Sequence, residues 1–174
     1  MARVTVEVRP VLPEEYEAAG RVVVAAYAAL PSPTEMLAGG YGDELADVGR
    51  RVTGAEVFVA IAPTGEGAIE VLGCVTLVTN CTSPWAELLR EGEAGVRMMG
   101  VRPDAQHQGI GRALLNACLE RALQLGRSAV LLHSTPWMDA AHVLYESSGF
   151  VREPDRDWLP VPEVPLLAFR REIG

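Results

Sequence analysis

The chain has 174 residues, 49% of them apolar and 22% charged, with a formal net charge of −8. That length suits one domain with a sizeable core, the composition excludes a disordered chain, and the negative balance opposes binding to a nucleic-acid backbone, which needs clustered Lys and Arg. Three cysteines, Cys74, Cys81 and Cys118, form neither a disulfide framework nor a zinc motif.

Val4, Val6 and Val8 alternate with Thr5, Glu7 and Arg9, the pattern of a half-buried strand and not of a secretory leader. Pro13, Glu14 and Glu15 open a helix that runs to about Leu30 and is stopped by Pro31 and Pro33. Gly39, Gly40 and Gly42 loosen the next segment, before a weaker helix from about Asp43 to Val52. Residues 56–62 and 69–78 read as a hairpin around the turn 63–67. The connection 81–94 holds Ser83 and Pro84, which mark a short helix. Residues 95–101 form another strand. From Gly109, apolar residues such as Ile110, Leu114, Cys118 and Leu125 recur at helical spacing up to Gly126. A buried strand follows at 129–134, then a helix within 136–149 closed by Gly149. An ordered loop carries Pro154, Pro160 and Pro162, and a last strand spans 165–173. The order β-α-α-β-β-β-α-β-α-β-β is that of one mixed α/β domain over residues 1–174. No apolar run approaches the roughly 20 residues of a membrane span, so a cytoplasmic protein is expected.

Gly109 and Gly111 stand where a strand passes into a helix. Two glycines there serve either a tight turn with close helix–sheet packing or a bare backbone approached by a phosphate. A P-loop would need Gly-Lys-Ser/Thr, whereas Arg112 and Ala113 follow Gly111; a dinucleotide fingerprint would need a third glycine where Leu114 stands.

The wider run Val101-x-Pro103 followed by Gln106-x-x-Gly109-x-Gly111-Arg112 resembles the acyl-CoA signature of the GNAT (Gcn5-related N-acetyltransferase) superfamily. Residues 140–152, with Tyr145, Gly149 and Phe150 in register, are similar to a second segment of that family; residues 30–94 match in general layout alone. The resemblance implies a single-domain GNAT fold, α/β, with a mixed, mostly antiparallel sheet that splays beside the strand at 95–101 and is flanked by helices. It implies acetyl-CoA as co-substrate and no metal. The pyrophosphate would sit on the amides of His107, Gln108, Gly109, Ile110, Gly111 and Arg112, beside Gln106. The pantetheine amides would pair with the backbone of Met99, Gly100 and Val101, as an unpaired strand edge allows.

Acyl transfer from a thioester to an amine needs a neutral amine, a polarised carbonyl and a proton for the departing thiolate. The resemblance makes Tyr145 the proton donor, against a reading as a core tyrosine. By its spacing to Tyr145 it makes His133 the general base, against a histidine satisfied within the sheet; base action through an ordered water is the further alternative. His107 falls in the phosphate loop and His142 shares the helix of Tyr145. Met138 replaces an asparagine common in the family, and Asp139 either takes over that asparagine's cofactor contact or caps the helix. The unmatched parts, near Tyr27, Tyr41, Trp85, Trp137, Asp157 and Trp158, would shape the acceptor pocket. The implied activity is transfer of acetyl to a primary amine of a small molecule or peptide by direct attack, with no nucleic-acid or membrane partner and with a homodimer left open. The alternatives are an O-acyl or longer-chain acyltransferase and a non-catalytic acyl-CoA binding or sensing module.

Overall fold

A computed structural model describes residues 5–31, 40–65 and 67–174. Its strands are β1 (Glu7–Pro10), β2 (Glu56–Pro63), β3 (Ile69–Val78), β4 (Glu93–Val101), β5 (Ala129–Ser134), β6 (Val151–Arg152), β7 (Trp158–Val161) and β8 (Val164–Glu172). Its α-helices are α1 (Tyr16–Ala28), α2 (Tyr41–Ala46), α3 (Val48–Arg51), α4 (Ile110–Gln124) and α5 (Asp139–Ser147). Among the described residues the sheet order is β1-β2-β3-β4-β5-β8-β6, with β7 paired to β8. Every pairing is antiparallel except β4 with β5. Among the described residues no helix is long and apolar enough to cross a membrane.

The sheet is buried on both faces, which is why β2 and β3 read as nearly continuous apolar runs. Alternation sends Phe58, Ala60 and Leu72 into one core with Leu114 and Cys118 of α4, and Val57, Val59 and Cys74 into the other with Val23 of α1 and Leu45 of α2. Helices α1 to α3 thus cover one face and α4 and α5 the other.

The sheet opens between its two middle strands. β4 pairs with β5 over Glu93–Val96 against Ala129–Leu132 and no further. Beyond Val96, β4 keeps β3 on one side, while β5 continues to Ser134 against β8. At the point of divergence β4 carries one extra residue: Cys74 faces Gly100 while Thr76 faces Arg97. Met98 sits in this bulge with φ 49. A bulge sharpens the local twist and ends regular pairing, so the splay has a cause within the strand.

Several expectations shift. The helix expected over 43–52 is broken at Asp47, whose carboxylate accepts the Arg50 amide and caps the second piece. The helix expected at Ser83 is a turn; the Ser83 hydroxyl donates to Gly54 O and accepts the Trp85 amide. The helix expected from 136 begins at Asp139. The loop expected over 154–164 holds a 3-10 turn, Pro154–Arg156, and β7. Its prolines are tolerated because β7 pairs at two positions, Trp158 and Val161, and leaves Pro160 without a ladder bond to supply. Val4 and the stop at Pro33 lie outside the described residues.

Candidate active site

The loop carrying Gln106 to Arg112 joins β4 to α4 through a 3-10 turn, Pro103–Ala105. The Gln106 side-chain amide donates to Val101 O at 3.2 Å and folds the loop back on the strand. His107 (φ 62) and Gly109 (φ 85) are both left-handed, uncommon for a histidine and natural for a glycine. A Cβ at Gly109 would meet nothing within 4 Å, so the glycine supplies its φ beside open space. The amides of residues 107–109 have no partner among the described residues, and those of Ile110, Gly111 and Arg112 are the unpaired first turn of α4. Such amides at the positive end of a helix dipole suit an anion. Gln108 is exposed, while the Ile110 side chain is buried in the core. Gly111 also serves packing, since a Cβ there would stand 3.3 Å from Leu144 Cδ2. The Arg112 guanidinium donates to Ser147 Oγ (2.7 Å) and Ser148 Oγ (3.2 Å), which ties α4 to α5 and leaves only its amide for the loop.

Met99, Gly100 and Val101 form the part of β4 that has left β5. Gly100 is small for a packing reason: a Cβ would come within 3.1 Å of Val23 Cα and Ala26 Cβ on α1. Asp139 is exposed in the first turn of α5, where its charge suits the helix dipole, and none of its side-chain atoms caps that helix.

A cavity of about 570 Å³ lies against the splayed strands. Its lining draws on both cores, with Tyr27, Trp85 and Met98 from one and Val96, Leu132 and Tyr145 from the other. One cavity can touch both faces only where the sheet has parted. Met99, Met138, His133 and Tyr145 line it; the loop 106–112, Gly100, Val101 and Asp139 do not. The structure therefore brings the two candidate catalytic residues together and sets the glycine loop apart, at the far end of the β4 edge.

Tyr145 is 5% exposed, its ring packed on Phe150 and Phe169, and its hydroxyl has no protein partner among the described residues. Burial, with a smaller contribution from Tyr27, pushes its pKa up, so it is a phenol that keeps its proton. His133 lies within 3.0 Å of Arg156 O through Nε2. A carbonyl only accepts, so Nε2 carries the proton and Nδ1 keeps a lone pair. Burial lowers the His133 pKa, against the opposing effect of that carbonyl, so the ring is neutral and basic at pH 7. His142 is spoken for: its Nε2 lies 3.1 Å from Ser134 Oγ and 3.0 Å from Thr135 O, and its ring packs on Phe169. His107 is exposed in the loop. Met138 precedes α5 at its N-cap position and receives the Ser134 hydroxyl on its sulfur at 3.5 Å.

The cavity is lined by Tyr27, Tyr41, Trp85 and Trp158 among the aromatic residues expected to shape an acceptor pocket, whereas Trp137 and Asp157 are absent from its lining. Sequence reasoning missed the charged members, Glu44, Glu87, Arg97 and Glu163. Arg97 donates to Trp85 O at 2.9 Å and pairs with Glu87 at 2.6 Å. Burial raises the Glu87 pKa, an effect Arg97 partly offsets. A lone arginine inside the apolar strand 95–101 was the available signal, because a buried guanidinium needs a carboxylate.

A family model described as an acetyltransferase (GNAT) domain matches residues 53–152. A mycothiol acetyltransferase of Geodermatophilus obscurus is 40% identical over 76 residues, covering 40% of this chain and 25% of that protein; this chain thus spans about a quarter of the relative's length. Among solved structures, the PaiA N-acetyltransferase of Thermoplasma acidophilum in complex with coenzyme A aligns with TM-score 0.72 at 12% identity, over 97% of this chain and 99% of that one. The ribosomal-protein-S18-alanine N-acetyltransferase of Escherichia coli aligns with TM-score 0.64 at 22% identity, over 98% and 95%. At such identities these structures share the fold.

Proposed function

Since the chain belongs to the GNAT acetyltransferase family, we propose that it transfers acetyl from acetyl-CoA to a primary amine of a small molecule or peptide by direct attack. The observation that carries this reading is the cavity that crosses the parted sheet with His133 and Tyr145 on its wall. The residues fit the co-substrate: unpartnered amides and a left-handed glycine beside open space suit its pyrophosphate, and the unpaired edge of β4 suits its amide-bearing arm. That relatives have been solved with coenzyme A, and Salmonella typhimurium yncA with its cofactor acetyl-CoA, supports the same choice.

In the proposed reaction His133, neutral and free at Nδ1, takes the proton that the amine must lose. The nitrogen lone pair then forms a bond to the acetyl carbonyl carbon as the carbon–sulfur bond breaks. Tyr145 gives its hydroxyl proton to the leaving sulfur and regains one through solvent as the acetylated nitrogen sheds its second proton, while His133 releases the first to solvent. The products are the N-acetyl amide and free thiol. We extend the catalytic domain to the whole of residues 1–174 and place it in the cytoplasm, without a nucleic-acid partner given the charge of −8.

Thiol release from acetyl-CoA over a panel of amines tests the reaction, with Tyr145→Phe as control. The variant keeps the ring and its packing, so acetyl-CoA affinity by calorimetry should hold while turnover falls about 10²- to 10⁴-fold. Binding without release for every amine would instead identify a module that binds acyl-CoA and does not turn it over.

A further inference from the structure

The cavity has an uneven charge. Three carboxylates, Glu44, Glu87 and Glu163, line it, and among the described residues Arg97 is the one cation that does. Arg97 is committed to the protein, with one nitrogen on Trp85 O and another on Glu87. A carboxylate on an incoming molecule would find no cation to receive it and would face Glu44. Apart from His133, Ser134 and Thr135, the remaining side chains of the wall are aromatic and aliphatic. Tyr27 and Tyr41 meet edge to face with ring centroids 6.1 Å apart, and Trp85, 7% exposed, lines the same cavity. Aromatic faces beside carboxylates attract an ammonium and repel an anion. Two further groups of the lining point to an occupant: Thr135, 5% exposed, has its Oγ1 buried without a partner, and Trp158 has its Nε1 in the same condition.

Glu44 is held in place from behind. It lies in the last turn of α2, and the buried Arg51 donates to Glu44 O and Leu45 O, both at 2.8 Å. The helix end is thereby fixed, and its glutamate is presented to the cavity from a rigid support.

We propose that the acceptor is a cationic amine on an apolar body of aromatic size with no carboxylate beside the amine, and that Glu44 selects for its charge. This rests on the reading of the chain as an amine acetyltransferase. Matched pairs test it: tyramine against tyrosine, tryptamine against tryptophan, and the methyl ester of each amino acid as a third member with the carboxylate masked. The amine and the ester should exceed the parent amino acid in kcat/KM by at least tenfold. Glu44→Gln should raise KM for tyramine about tenfold or more, the size of a lost charged hydrogen bond, with kcat and acetyl-CoA affinity little changed. Equal or better use of the free amino acids overturns the proposal, as does an unchanged KM in Glu44→Gln. If acetyl-CoA binds and no member of the set is acetylated, the acceptor class is wrong while the cofactor reading stands. If acetyl-CoA does not bind at all, the underlying reading fails first.

Discussion

At the scale of single residues, environment decides which of three histidines can act as a base. His142 is held by Ser134 and Thr135 O, and His107 is solvent-facing in the loop; His133 alone lines the cavity with its Nε2 proton already placed. Its lowered pKa predicts an ascending limb in the pH profile of kcat/KM below the ordinary histidine value of about 6.5, apart from the limb of the amine itself. The limb rises with pH because the group must lose its proton to work. His133→Gln should abolish that limb and lower the plateau about 10²-fold or more; retention of both would move the role to another group, with Glu87 next in line on the same wall. Gly109 gives a second test. Gly109→Asp puts a side chain at φ 85 and a charge beside the amides of the loop. Acetyl-CoA affinity should drop about two orders of magnitude, the loss of one or two charged hydrogen bonds, and calorimetry on the folded variant measures it. What was legible in the sequence is their placement: a glycine at a strand-to-helix turn, whose φ is 85, and a histidine on the strand before the helix of Tyr145, singled out by the family resemblance. Glu44, Glu87 and Arg97 were not legible, since what makes them a set is the packing of α2, a loop and β4 around one space.

At the scale of elements, a buried ion cluster holds the wall of the site. Glu93 of β4 accepts from Arg156 at 2.7 and 2.8 Å and from Arg170 of β8 at 3.0 Å, while the Arg90 amide donates to the same carboxylate. Arg156 also donates to Leu88 O, and its own carbonyl positions His133. The 3-10 turn before β7 is thus pinned to the start of β4, where that strand is still paired with β5. Burial alone would raise the Glu93 pKa, but these hydrogen bonds outweigh it and bring it down to about 2. A carboxylate depressed on folding stabilises the protein fully above its unfolded pKa of about 4.3 and loses that contribution as pH falls toward 2. Glu93→Gln leaves Arg156, 5% exposed, with the half-buried Glu153 at 3.5 Å as its remaining counter-charge and should cost about 2–4 kcal/mol near neutral pH. Chemical denaturation of both proteins should show the gap closing between pH 4 and 2; a gap independent of pH would deny the cluster its charge. The long helices here followed from periodicity and the central strands from continuous apolar runs, since both faces of the sheet are covered. The broken helix at Asp47 and the strand β7 did not, because one is a local cap and the other borrows its partner from β8.

At the scale of the molecule, the two cores meet in one place. The sheet separates α1 to α3 from α4 and α5 everywhere except at the cavity, where residues of both line a common space. The bulge at Met98 makes that meeting possible, and it also resets the phase of the strand. Ahead of it, Ala94 and Val96 face the α4 core; beyond it, Met99 and Val101 do, so the even-numbered side chains hand that face to the odd-numbered ones. The strand therefore carries a frame, and a change of length at this point is a different kind of event from a change of side chain. Substituting Met98 by leucine keeps the frame and should leave acetyl-CoA binding near the original. Deleting Met98 restores regular pairing with β3 while Met99, Gly100 and Val101 keep their faces, so both cores stay composed and what is lost is the local twist that parts β4 from β5. Calorimetry should find acetyl-CoA binding lost in the deletion and kept in the substitution. The extra residue at 98 belongs, in that sense, to the opening and not to the cores: they can be packed without it, and the site cannot be opened without it.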